Sequence, residues 1–200
     1  YKIAICDQKG DSSCSKAKGL MEREVVRVIT PGTVIENSML DEGNNNYIAS
    51  LYISKSKAGL CFCDISTGQI HATYIDGPDI IPHIQNELAK FFPREILAIG
   101  DIKVFGELKG FIKERLSALV NIIEEDAEKD YEKIVIEQFK AKNLDEINAE
   151  GKDSLVLSLY YLINYLKETQ KSSIDCLTTV DIYTGSQFLH LDINSRRNLE

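Results

Sequence analysis

Three residues of metal-binding type fall within one short stretch, GLCFCDISTGQIHATYI from Gly59 to Ile75: Cys61, Cys63 and His71. A structural zinc site takes four such ligands, and a hairpin offers none of the loop spacing that zinc knuckles use. Two thiols at i, i+2 on a strand point the same way and cannot form an ordinary disulfide. The simpler reading is small apolar side chains in a buried strand. A second chemistry needs carboxylates, since two metal ions about 4 Å apart, held by converging acids, cleave phosphodiesters. Glu87, on the first helix, and Asp101, just after the fourth strand, are placeable near such a site, and Asp64 lies on the second strand. The strand that would carry its essential aspartate, YIASLYIS from Tyr47 to Ser54, has no acid. Acids without that one are the pattern of a solvated face, and a divalent-metal-dependent nuclease is kept as the alternative to a non-catalytic reading. Asp64-Ile65-Ser66-Thr67-Gly68 has the look of a phosphate-binding turn, but a hairpin turn explains it. No G-x-x-x-x-G-K-[ST] and no G-x-G-x-x-G occurs, and His71, His83 and His190 have no evident nucleophile partner.

The chain has 200 residues, 44% hydrophobic and 27% charged, with a formal net charge of −8. That length suffices for one ordinary core with pieces of neighbours. The negative balance gives no global attraction for phosphate backbones. No apolar run approaches the roughly 20 residues that span a bilayer, and no signal peptide is expected at the start. Five cysteines, an odd number, point to a reducing, cytoplasmic setting. A start at Tyr1 and an end at SRRNLE give the expectation of a fragment of something longer.

The elements that must position these residues follow from periodicity. YKIAICDQ (Tyr1 to Gln8) and EVVRVIT (Glu24 to Thr30) read as strands, the second closed by Pro31-Gly32. Lys9 to Lys18 and Ile35 to Asn46 read as polar connections. The central stretch reads as a hairpin about Ser66-Thr67-Gly68, a three-residue loop pairing Ile65 with Gln69, Cys63 with His71 and Cys61 with Thr73. Tyr47 to Ser54 adds a third strand. Asp79 is expected to cap a helix whose Ile80, Ile81, Ile84, Leu88, Phe91 and Phe92 line one face until Pro93. EILAI (Glu95 to Ile99) is a buried strand, Gly106 to Leu116 a helix, LVNII (Leu119 to Ile123) a strand and Tyr131 to Phe139 a helix. The order over residues 47 to 140, βββαβαβα, is that of an RNase H-like α/β domain with a mixed five-stranded sheet. SLVLSLYYLINYLK (Ser154 to Lys167) is apolar nearly all round, so it is expected to be buried between domains. Leu177 to Asp192 reads as extended, and Asn194 to Glu200 opens a polar helix.

Several blocks together resemble the MutS family of DNA mismatch repair proteins: KAKGLMEREVVRVITPGTVIE (Lys16 to Glu36), NNYIASLY, GLCFCDISTGQI, FFPREILAIG, LINYLKETQK and DINSRRNLE (Asp192 to Glu200). The resemblance covers essentially all 200 residues, and REVVRVITPGT and RRNLE are its specific blocks. It implies three parts: 1–43, the end of a mismatch-recognition domain and a linker; 44–152, a connector domain; and 153–200, the start of a core or lever domain. It implies a parent that binds mismatched DNA as a homodimer, uses ATP with magnesium and recruits a MutL-type protein. The family's aromatic-x-Glu wedge and its Walker A motif lie outside this sequence, so the resemblance carries over no catalytic, cofactor or metal residue. The family's connector is RNase H-like in fold without nuclease activity, which agrees with the acid-free first strand. With the family in view, Lys16, Lys18 and Arg23 become candidate contacts to the DNA backbone. Glu124, Glu125, Asp126 and Glu128, in the acidic run that continues through Asp130 and Glu132, become a candidate partner surface.

Overall fold

The computed structural model of the protein describes residues 2–8, 23–34, 45–125, 130–171 and 174–184. The expected connection Lys9 to Lys18, most of Ile35 to Asn46, and the expected elements after residue 184 lie outside these residues. β1 (Ile3–Gln8) and β2 (Arg23–Ile29) form an antiparallel pair with a register shift between Ile5 and Cys6. Pro31–Thr33 then makes a 3-10 turn. β3 (Tyr47–Ser54), β4 (Lys57–Asp64) and β5 (Gln69–Asp76) form an antiparallel meander. Helix α1 (Ile80–Phe91), β6 (Glu95–Gly100), α2 (Ile102–Phe111), β7 (Leu119–Ile122), α3 (Tyr131–Phe139), α4 (Asp153–Gln170) and β8 (Val180–Tyr183) follow. One six-stranded mixed sheet results, in the order β7-β6-β3-β4-β5-β8.

Both faces of this sheet are covered, which is why its central strands read as apolar runs rather than alternations. Towards α4, Ile48, Cys61, Cys63, Ile70, Ala72, Leu97 and Ile99 share a core with Leu155, Leu159, Leu162 and Leu166. Towards α1 and α2, Ala49, Leu51, Ile53, Leu60, Phe62, Ile96 and Ala98 pack with Ile84, Leu88, Phe105 and Leu108. The α4 backbone lies directly on β4. A Cβ at Gly59 would stand 2.1 Å from the carbonyl oxygen of Ser154, so only glycine admits this approach. Ser158 Oγ donates to the carbonyl of Ser50 at 2.8 Å.

The structure corrects several expectations. The sheet has six strands, not five, because β8 adds to β5 in parallel. Helix α4, expected to lie between domains, packs on the same sheet as β3 to β6. The hairpin register is Asp64 with Gln69, Cys63 with Ile70, Phe62 with His71 and Cys61 with Ala72, one residue away from the expected pairing. The loop therefore holds Ile65-Ser66-Thr67-Gly68. It is closed by Gly68 N–H on the Asp64 carbonyl at 2.9 Å, with Asp64 Oδ1 accepting from Ser66 N (2.9 Å) and Oγ (2.6 Å). A one-residue slip exchanges the faces of the returning strand. Ile70 and Ala72 join the two cysteines under α4, and His71 lies against the aromatic ring of Phe91 on the other side. Helix α2 starts at Ile102 rather than Gly106, because the Asp101 carboxylate accepts from the amides of Lys103 (2.9 Å) and Val104 (3.3 Å). Asp79 precedes α1 without a side-chain capping bond, and Phe92 turns left-handed and outward at that helix's end.

Candidate functional site

The polar centre of the described structure is a group that no sequence motif singles out, the carboxylate of Glu95. It begins β6, the strand EILAIG, and is fully buried. A buried carboxylate is tolerated only when donors saturate it. Four do. Asn121 Nδ2 on β7 and the phenol of Tyr165 on α4 each donate to Oε1 at 2.6 Å. Gly32 N–H donates to Oε2 at 3.1 Å, and the Thr30 hydroxyl donates to the same oxygen. Burial, followed by the bond to Glu95, pushes the Tyr165 phenol well above its ordinary range.

The turn after β2 is shaped for this seat. Thr30 N–H donates to Thr33 Oγ1 at 2.9 Å, and Thr30, Gly32 and Thr33 are buried. A Cβ on Gly32 would fall 2.8 Å from that of Ile48 and 2.9 Å from that of Glu95, so glycine sets how closely the turn lies on β3 and β6. Asn46 Nδ2 donates to the Pro31 carbonyl at 2.9 Å. On the far side, Arg27 Nε donates to Gln170 Oε1 at 3.1 Å, and Lys2 Nζ stands 5.6 Å from the centre of the Tyr165 ring. Polar contacts around this carboxylate are thus one of the joins between the N-terminal strands and the sheet and α4, and Pro31-Gly32, expected only to break a strand, is the docking turn. A lone acid at the head of a wholly apolar strand was the signal for it.

The expected site residues disperse. Arg23 is exposed, opposite Gln8 at the start of β2. Lys16 and Lys18 lie outside the described residues, as do Asp126 and Glu128. Glu124 and Glu125 are exposed just beyond β7. Partial burial, then the nearby Glu125 carboxylate, pushes the Tyr52 phenol up to about 12. Asp130 accepts from the Lys133 amide at 3.4 Å at the start of α3. Cys61 and Cys63 are buried and His71 faces away from them; burial raises both thiols, Cys61 to about 12. Asp64 sits beside Tyr47 at one end of β3 while Asp101 N–H bonds the Ile53 carbonyl at the other, about 20 Å along the strand at ~3.3 Å per residue. Asp64 holds the hairpin turn, Asp101 caps α2, and Glu87 accepts from the Tyr183 hydroxyl. No three His, Cys, Asp or Glu side chains gather as metal ligands among the described residues, so the nuclease alternative has no support here. No helix among the described residues is long and apolar enough to cross a membrane.

Comparison with known proteins accounts for this join of two parts. Residues 1–38 match the family model described as MutS domain I, and residues 46–178 match MutS domain II. The docking turn belongs to the first match, and β3 to α4 to the second. The whole chain aligns with proteins named DNA mismatch repair protein MutS. It is 37% identical to that of Caldanaerobacter subterraneus subsp. tengcongensis, 35% to that of Halothermothrix orenii and 39% to that of Clostridium tetani. The chain spans 23%, 22% and 22% of those relatives' lengths. The chain belongs to the MutS family, carrying domain I sequence through residue 38 and domain II sequence from residue 46.

Proposed function

We infer that this region is the non-catalytic connector of a MutS-type mismatch repair protein of the cytoplasm. In this reading it relays conformational change between the part that reads mismatched DNA and the parts that bind ATP and magnesium. The observation that carries the reading is the Glu95 node: one buried carboxylate receives donors from the domain I turn, from β7 and from α4. A displacement of the N-terminal strands is therefore felt by the sheet and by the last long helix. The order β3-β4-β5-α1-β6-α2-β7-α3 supports an RNase H-like connector, with α4 and β8 completing it. We place the recognition-domain end at 1–43 and the connector from 44 through β8, ahead of the core or lever region.

The parent protein, in this reading, works as a homodimer on DNA. Lys16, Lys18 and Arg23 contribute sequence-independent contacts to the DNA backbone. The acidic surface of Glu124, Glu125, Asp126 and Glu128 steers a basic patch of a MutL-type partner, acting mainly on association rate. The test uses the full-length protein with Glu95→Gln and Thr30→Val. Mismatch binding and basal ATP turnover should persist, while the response of nucleotide exchange to a mismatch falls. An unchanged response would remove the node, and the relay role that rests on it. Magnesium-dependent cleavage of DNA, lost on Glu87→Gln or Asp101→Asn, would restore the nuclease alternative.

A further inference from the structure

The route by which the chain leaves the sheet carries a second device, independent of the Glu95 node. β8 is four residues long and pairs in parallel with β5 over Ile70–Val180 to Thr73–Tyr183. Short parallel pairing is the weaker kind of ladder, so side chains supply much of the hold. They lie on alternating faces. Val180 and Ile182 pack towards α4, while Asp181 and Tyr183 face α1. Asp181 Oδ2 meets His71 Nδ1 at 3.1 Å, and the Thr73 hydroxyl donates to the Tyr183 carbonyl at 3.0 Å. Tyr183 is the deep anchor, 5% exposed beside a half-exposed strand. Its hydroxyl donates to Glu87, its ring tilts against Phe91 with centroids 6.4 Å apart, and Lys90 Nζ stands 4.2 Å from its centre. Glu87, Lys90 and Phe91 all belong to the last turns of α1, so one helix end grips one ring at its edge, face and hydroxyl. The approach to β8 is tied separately, by Gln138 Nε2 donating to the carbonyls of Ile174 (3.3 Å) and Leu177 (3.0 Å).

We propose that β8 is a detachable strap on the sheet edge, closed by Tyr183 in a slot formed by Glu87, Lys90 and Phe91 of α1. Seated, it fixes residues 180–183 to the edge of the sheet beside β5. Lifted, it leaves the β3-β4-β5-β6 core folded, because neither apolar cluster includes Tyr183 and β8 adds only the partly buried Val180 and Ile182 at the margin of the α4-side cluster. The strap regulates whether the β5 edge of the sheet is covered or open.

Hydrogen exchange with mass spectrometry on the full-length protein tests it. In the wild type, amides of residues 181–184 should exchange through local opening, at least about 100-fold faster than those of residues 48–53. Tyr183→Phe keeps the ring and loses the hydroxyl, and one such bond is worth about tenfold in opening. It should raise exchange in residues 181–184 by about that factor and leave 48–53 unchanged. Glu87→Gln should raise it less, because an acceptor remains. Exchange of β8 at the same rate as β3 would overturn the proposal, and so would a local opening that Tyr183→Phe leaves unaltered.

Discussion

The Tyr165 phenol and the Glu95 carboxylate meet at 2.6 Å, joining α4 to the first residue of β6 from 70 positions away. Hydrogen bonds to a charged acceptor are worth about 1.5–3 kcal/mol. Tyr165→Phe should therefore cost roughly that amount in urea denaturation. Glu95→Ala should cost more, since it leaves Asn121 Nδ2 and Gly32 N–H without their acceptor. Paired with Thr30→Val, Tyr165→Phe should be non-additive, because both side chains bond the same carboxylate.

Two glycines should respond oppositely to alanine. Gly59→Ala drives a Cβ into the α4 backbone at Ser154 and should destabilise by about 3 kcal/mol, the upper range of overpacking. Gly110 lies on α2 with nothing within 4 Å of the place a Cβ would take, so Gly110→Ala should stabilise by about 0.5–1 kcal/mol. Equal effects in chemical denaturation would contradict the close packing of α4 on β4.

The buried thiols predict a pH dependence. Burial raises Cys61 from 9.0 to about 12, so the folded chain holds that proton at pH values where the unfolded chain has lost it. The sign follows from linkage: the contribution is full below about pH 9 and is lost as pH climbs towards 12. Denaturation midpoints should fall between about pH 8 and about pH 10, and Cys61→Ala should remove about 1 kcal/mol of that fall. At about pH 8 a thiol reagent should modify the exposed Cys6 and Cys176 quickly, and Cys61 and Cys63 only on unfolding.

Charge reversal separates the two proposed surfaces. Lys16→Glu, Lys18→Glu and Arg23→Glu together should weaken DNA binding without altering mismatch preference. The salt slope should shrink by about 0.9 for each phosphate that is no longer neutralised. Glu124→Lys with Glu125→Lys should slow association with a MutL-type protein and reduce its salt sensitivity, while DNA binding stays as it was. Stopped-flow association across a salt series reads the second, and a slope unchanged by the substitutions would remove that surface.

Local chemistry was legible in the residues themselves. The strands from Tyr47 to Ser54 and Glu95 to Gly100, the α1 stripe of Ile80, Ile84 and Leu88, and the apolar circumference of α4 each follow from spacing that any fold must bury. The family, too, was readable from blocks such as REVVRVITPGT, because such blocks are linear. Register was not. Whether Cys63 faces Ile70 or His71 depends on one residue of loop length, and the Asp64 side chain decides it by bonding Ser66 within the turn. The destination of α4 was also hidden, since an all-round apolar helix fits a space between domains as well as a sheet. Gly59 and Ser158 direct it to the sheet, and that is visible only once β4 lies beneath Ser154. Glu95 is the plainest case. Its type and its apolar neighbours were in the sequence, but its donors come from residues 30, 32, 121 and 165, and only the folded chain brings four distant groups to one carboxylate.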